Sequence, residues 1–380
     1  MARNDTTKIV IYAILILGFS VGALRAWHSY KNGSAAAQAD DSRVSLISTR
    51  TKAGWIMIQS IRFASDNPGQ IVSADWMESR QAMEEILNGS LKPDLWSPES
   101  PIWVARLNDV WKQKHGTELI NVDDRDSFAV LLNSPIVFLT TKEKAAYLRP
   151  LLSGSRPWSS IQDLATGRIF APWGRVRFSH ADPINSNSGT LTLALILNEY
   201  RQEHGADRSP EQTLNSPGFA QYLSQIESVM LNDSAAQAGT YALSDDYAKH
   251  PDKRDFIVTH ESAALSAAER NPDLEVIYPT PTADSQETIG VLDAPWVSGK
   301  QRAIGQHYIA SLLQPKAMQS ATQSNMRSAN AATSDSLNEV LDKMSKQGFQ
   351  ETYTTVTLPG YDVLNTLAYM STTKKHGSVR

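Results

Sequence analysis

The sequence predicts an α/β fold in two lobes. The prediction rests on three observations: a length of 380 residues, an ordinary globular composition of 41% hydrophobic and 20% charged residues, and short β-branched runs alternating with helix-period segments. A chain of this length holds one large core or two modest ones, at about 100 to 200 residues per domain.

The elements follow in order. "MARNDTTK" precedes an uncharged 16-residue run, Ile9 to Leu24. That run is slightly short for a membrane span and slightly long for a secretory core. Trp27 and Tyr30 follow it as interfacial anchors would, with Arg25 and Lys31 beside them. A small-residue cleavage site at Ala37-Gln38-Ala39 lies far beyond the apolar end. An uncleaved N-terminal membrane anchor is therefore favoured over a signal helix cleaved after Ala39. Both readings send the rest of the chain across a membrane, and residues 1–40 form the segment and its polar linker.

"RVSLIST" (43–49) is a strand and "GWIMIQSIRFAS" (54–65) a helix, the opening of a parallel layer. "GQIVSADWM" gives a second strand, "SRQAMEEILNGSL" a helix ending near Gly89, and "PDLWSPES" a strand end. "SPIVFLTT" (134–141) is a short buried strand. Further strands are expected at "RIFAPW", "DFIVTHE" and "LEVIYP". Further helices are expected at "TLTLALILNEYRQEHG", "PGFAQYLSQIESVML" and "SGKQRAIGQHYIASLLQ". Residues 319–336, rich in Ser, Ala, Asn and Gln, are expected to be a surface linker, and a last helix near 362–370 to pack on the body.

Charge and composition exclude several functions. The 36 basic against 40 acidic residues give a net charge of −4, and the first forty residues hold four of the basic and two of the acidic ones, so the body is more acidic still. Such a surface repels a phosphate backbone, so no nucleic-acid partner is expected. The absence of cysteine excludes disulfides, thiol nucleophiles, thiolate zinc sites and a lipoprotein's acylated cysteine. The eight histidines form no HExxH or close pair, and "NVDDRDSF" lacks the glycine and terminal glutamate of a calcium loop. No Walker A, GxGxxG or GxSxG pattern occurs. Neither an enzyme nor a cofactor is expected.

Four stretches together resemble the bacterial extracellular solute-binding proteins, the periplasmic type II class that serves import transporters: "PDLWSPESPIWVARLN" (93–108), "DPINSNSGTL" (182–191), "IVTHESAAL" (257–265) and "VIYPTPTADSQETIGVLDAPWVSGKQRAIGQHYIASLLQP" (276–315). The resemblance spans roughly residues 43 to 330. It implies two lobes joined by crossing strands, with a solute in the cleft between them. The crossings are expected near Ser134–Thr141 and Asp255–Glu261. The first lobe would comprise residues 41–137 and, on its return, 259–380, and the second lobe 138–258. Missing from the pattern is a lipobox cysteine, and Ser262 follows Glu261 where close relatives often have an amide.

The candidate ligand-binding residues are Ser48, Thr49, Thr51, Lys52, Ser97, Ser186, Ser188, Gly189 and Glu261. Ser188 is expected to cap a helix start, where about four N–H groups lack partners, and Gly189 to let the backbone approach a ligand. The same residues also fit a plain N-cap and turn. Ser48, Thr49, Thr51 and Lys52 end a parallel strand, where open sheets bind ligands, and equally fit a solvated loop. Ser97 lies between Trp96 and Trp103, which are expected in the core or as an aromatic wall. Glu261 is a candidate acceptor or ion-pair partner for Lys52, or a surface carboxylate. The expected function is capture of a small polar or anionic solute for an import permease, at the periplasmic face of the inner membrane or free in the periplasm. The alternative is an anchored sensor or interaction module without a transport role.

Overall fold

A computed structural model describes residues 41–329, 342–343 and 345–376. The expected anchor or signal segment, residues 1–40, lies outside the described residues. Among the described residues no helix is long and apolar enough to cross a membrane.

Strand β1 (Arg43–Ser48) alternates so that Val44 and Leu46 are fully buried. A 3-10 turn at Arg50–Lys52 leads from it into α1 (Ala53–Asp66), whose Trp55, Ile56 and Phe63 face the same core. β2 (Ile71–Trp76) and β3 (Leu95–Ser97) pair parallel on either side of β1. Between them α2 (Ser79–Asn88) stops at Gly89, whose φ of 80° suits a left-handed cap. Helix α3 (Pro101–His115) packs Trp103, Val104, Leu107 and Trp111 against Ile47 and Trp96.

The expected strand at 134–141 is the end of a longer one, β4 (Phe128–Thr141), which runs through two halves of the sheet. Its first part pairs antiparallel with β8 (Asp284–Val291), which in turn pairs with β3. Its second part, from Ile136, lies between β6 (Phe256–His260) and β7 (Leu274–Ile277), both antiparallel to it. A short β5 (Phe178–His180) extends this second half beside β6. The second half carries α4 (Lys142–Leu152), α5 (Pro157–Thr166), α6 (Asn187–His204), α7 (Pro217–Glu227), α8 (Thr240–Lys249) and α9 (Glu261–Arg270). Helices α10 (Gly299–Leu312) and α11 (Pro315–Thr322) return to the first half, and a two-residue β9 (Arg327–Ser328) joins β4.

The second crossing therefore differs from the expected Asp255–Glu261. There β6 pairs only within the second half, and the chain stays in that half through α9 and β7. It returns between β7 and β8, across residues 278–283, whose Thr and Pro content shows no strand period. "RIFAPW" is no strand. Phe170 is 77% exposed, and Ala171 only bridges Gly174 across a turn. The start of the expected 319–336 linker is α11 and β9, because Met318, Ala321 and Met326 are buried in the first-half core, and residues 330–336 lie outside the described residues.

The last helix, α12 (Tyr361–His376), packs mainly on α6 and also touches α3. Before it, residues 347–356 run along the second crossing, where Val276 N donates to Gln347 O, Thr282 N to Thr354 O and Val356 N to Thr282 O. The C-terminal segment thus borders both halves and is not confined to the first.

Candidate functional site

The helix starts gather where the halves meet. The 3-10 turn after β1, the starts of α2 and α3, and the starts of α6, α8 and α9 supply Thr49, Thr51 and Lys52; Glu78 and Glu99; Ser186, Asn187 and Ser188; Thr240 and Tyr241; and Ser262. Each start leaves unpaired N–H groups and partial positive charge. The long strands add Ser134, Ser285 and Glu287.

Lys52 lies at the centre, with its side chain fully buried. Its Nζ donates to Glu287 Oε2 at 2.5 Å, to Thr49 Oγ1 at 3.0 Å and to the Pro98 carbonyl at 3.5 Å. Thr49 Oγ1 lies 2.7 Å from Thr51 Oγ1, and Thr51 Oγ1 reaches Glu287 Oε2 at 3.4 Å. Ser285 Oγ donates to Glu287 Oε1 at 3.3 Å and to the Glu99 carbonyl at 3.0 Å. Ser48 is buried and reaches only the Thr49 carbonyl, at 3.5 Å. Burial, with the neighbouring Glu287 and Glu78 carboxylates, holds the Glu99 carboxyl well above the usual range, while Lys52 and Thr51 pull it down. Burial also raises Glu78, against the opposing Arg50 charge.

The second half meets this cluster directly. Asn187 Nδ2 donates to Ser285 Oγ at 2.9 Å and to the Glu99 carbonyl at 3.5 Å. Tyr241 OH donates to the Thr51 carbonyl at 3.0 Å. Ser186, Ser188 and Thr240 form a hydroxyl triangle, with 3.1 Å between the serines and 2.8 Å from each serine to the threonine. Ser262 Oγ accepts from Ser134 Oγ at 3.2 Å, and Ser262 N donates to Ser134 Oγ at 3.1 Å. Next to it burial pushes the His260 imidazole down to about 4, with the Ser134 backbone as a partial offset.

Three expectations need correction. Ser188 does not cap α6. The N-cap is Ser186, its side chain makes no cap bond, and the Ser188 hydroxyl turns to Thr240 because α8 abuts that end. The space beside Gly189 Cα is taken up by the protein itself. A Cβ there would sit 2.2 Å from the Ala181 carbonyl oxygen and 2.9 Å from Pro183 Cα, so the glycine lets α6 pack on its own preceding turn. Glu261 does not pair with Lys52. Its carboxylate accepts from Arg327 Nη2 at 2.6 Å and from Tyr278 OH at 2.5 Å, in a separate cluster on the second crossing.

In that cluster Tyr353 OH donates to Asp284 Oδ2 at 3.1 Å, and Arg327 also donates to the Gln350 and Glu351 carbonyls. Burial, aided by the Glu261 charge, pushes Asp284 up to about 7, against Tyr353 and Arg327. Ser97 is committed within the first half, donating to the Thr288 carbonyl at 2.5 Å. Trp96 and Trp103 are core, 1% and 7% exposed.

The structure thus brings Thr49, Thr51, Lys52, Ser186 and Ser188 to one junction and leaves Ser97, Gly189 and Glu261 in other roles. Glu287, Glu99, Thr240 and Tyr241 were not singled out from the sequence. "DSQETIGV" carries no clear alternation, and Glu287 meets Lys52 across 235 positions of chain. Among the described residues no group of His, Cys, Asp or Glu could hold a metal ion.

Three solved structures of similar fold are distant in sequence. A substrate-binding protein of an ABC transporter from Agrobacterium tumefaciens aligns with TM-score 0.60 and 13% identity, over 90% of this chain and 96% of that one. The sulfate-binding protein of Mycobacterium tuberculosis gives 0.56 and 12%, over 85% and 98%. The ferric binding protein of Campylobacter jejuni gives 0.59 and 10%, over 89% and 100%. At such identities the likeness establishes the fold alone. No curated protein sequence matches the chain. The model of the bacterial extracellular solute-binding protein family matches residues 55–327. With that match over most of the chain, and the fold of substrate-binding proteins around it, the protein belongs to the bacterial extracellular solute-binding protein family.

Proposed function

We propose that the protein captures a small polar solute between two lobes and presents it to an import transporter. On the strand pairing, the first lobe is residues 42–135 together with 284–328, and the second is 136–277. The observation that carries the reading is the convergence of Thr49, Thr51 and Lys52 from one lobe with Asn187, Ser188, Thr240 and Tyr241 from the other. Such groups exchange their mutual hydrogen bonds for bonds to a solute, and contacts to both lobes favour the closed state. Family membership supports capture outside the cytoplasm, by a chain either tethered through its N-terminal segment or released after Ala39.

Native mass spectrometry of gently purified full chain, followed by calorimetric titration of any molecule it carries, tests the reading. A bound small molecule lost on replacing Thr240 and Ser188 by Ala is the expected result. A bound molecule that the double replacement leaves untouched contradicts it.

A second reading, an envelope interaction module without a transported solute, is supported by direct closure of the lobes. Arg80 Nε donates to the Ile184 carbonyl at 3.0 Å, beside the Asn187 and Tyr241 bonds. Crosslinking in intact cells separates the two, with a permease as the main adduct for capture and signalling or cell-wall machinery for the module.

A further inference from the structure

Resting on the solute-capture reading, we propose that Glu287 sets the specificity of the cleft: its carboxylate is a tethered occupant of the place where an anionic solute would put its charge, so the solute is uncharged and polyhydroxylated. The contacts of Glu287 are those a bound oxyanion would seek. Its two oxygens accept from Lys52 Nζ, from Thr51 Oγ1 and from Ser285 Oγ, and Ser285 in turn accepts from Asn187 of the other half. Helix starts surround the pair and add positive potential. Lys52 is the cation buried at this junction, and Glu287 neutralises it with side chains 0% and 1% exposed.

An incoming anion therefore finds no uncompensated cation. The attraction that a free cation would give an anion at about 4 Å and an effective dielectric of about 20, worth roughly 1,000-fold in affinity, is thereby withheld. What remains to offer are hydroxyls and an amide, from Thr49, Thr51, Ser188, Thr240, Tyr241 and Asn187. These donate and accept in turn and leave no charge unpaired against a neutral hydroxylic solute.

The test is calorimetric titration of the full chain with sulfate and, separately, with monosaccharides, disaccharides and sugar alcohols. The wild-type chain is expected to bind a member of the second group and not to bind sulfate at up to about 1 mM. Glu287→Ala, which frees Lys52, is expected to gain sulfate affinity about 100-fold or more. Glu287→Gln, which keeps the side-chain volume, is expected to gain by a smaller factor. Sulfate binding by the wild-type chain overturns the assignment, as does a Glu287→Gln variant with native circular dichroism and no gain. If neither variant folds, the wild-type titrations decide, since sulfate bound in preference to hydroxylic solutes overturns the proposal and the reverse upholds it. A wild-type chain that binds neither class, with sulfate gained by Glu287→Gln, overturns the capture of a hydroxylic solute and upholds Glu287 as the charge that fills the site.

Discussion

Replacing Lys52 by Met tests whether the junction is organised around a buried charge pair. The Lys52 and Glu287 side chains are 0% and 1% exposed, and their charged atoms lie 2.5 Å apart. The substitution removes the cation and keeps most of the aliphatic stem, so packing changes little. Glu287 is left buried with only the two longer hydroxyl contacts, at 3.3 and 3.4 Å. Breaking one side of such a pair costs about 3–5 kcal/mol, because the surviving charge is uncompensated. That is a large share of a typical domain stability of about 5–15 kcal/mol. Removing both charges in Lys52→Met/Glu287→Leu should recover most of the loss, since an apolar pair of similar volume is often neutral or stabilising. Urea unfolding followed by tryptophan fluorescence reads the effect, with Trp55 and Trp96 both 1% exposed. The single variant's loss should also change little with salt, because buried pairs are poorly screened. A loss below about 1 kcal/mol, or a double variant no more stable than the single one, would refute the reasoning.

Three further outcomes are expected. Asp284 has its folded-state pKa raised to about 7 from 3.8. Its contribution to stability is therefore fully present below the unfolded value and is lost as pH rises through 7, and Asp284→Asn should flatten that fall in thermal melts taken between pH 5 and pH 8. Gly189→Ala forces a Cβ to within 2.2 Å of the Ala181 carbonyl oxygen, so overpacking of about 1–3 kcal/mol or more should appear in denaturant titration. Arg80 donates to the Tyr361 hydroxyl at 3.1 Å and to Asn365 Oδ1 at 2.8 Å, and its guanidinium lies over the Trp103 ring. Arg80→Ala should therefore loosen α12 by about 1.5–3 kcal/mol, read as faster amide exchange in that helix.

The opening of the body was legible because its residues follow one period at a time. Val44 and Leu46 alternate along β1, Trp55, Ile56, Gln59 and Phe63 share one face of α1, and Gly89 stops α2. The second crossing was not, because Thr280, Pro281 and Thr282 show no strand pattern, and Thr282 is fixed by the tail, donating its N–H to the Thr354 carbonyl and accepting from Val356 N. β5 is three residues long, too short for any period to show. Phe170 made "RIFAPW" look buried, yet the turn turns its ring outward.

At the site, the hydroxyl-rich helix start was visible as composition, but the partners were not. Ser188 meets Thr240 across 52 positions, Lys52 meets Glu287 across 235, and Glu261 meets Arg327 across 66. Local sequence tells which groups are polar, and only the fold decides which of them neutralise one another.

Hydrogen–deuterium exchange with and without saturating solute bears most directly on the claim that solute is held where the halves meet. Slowed exchange is predicted in three separate stretches at once, residues 49–53, 186–190 and 240–244, with the outer face of α7 unchanged. Protection confined to one half, or placed away from all three stretches, would contradict it.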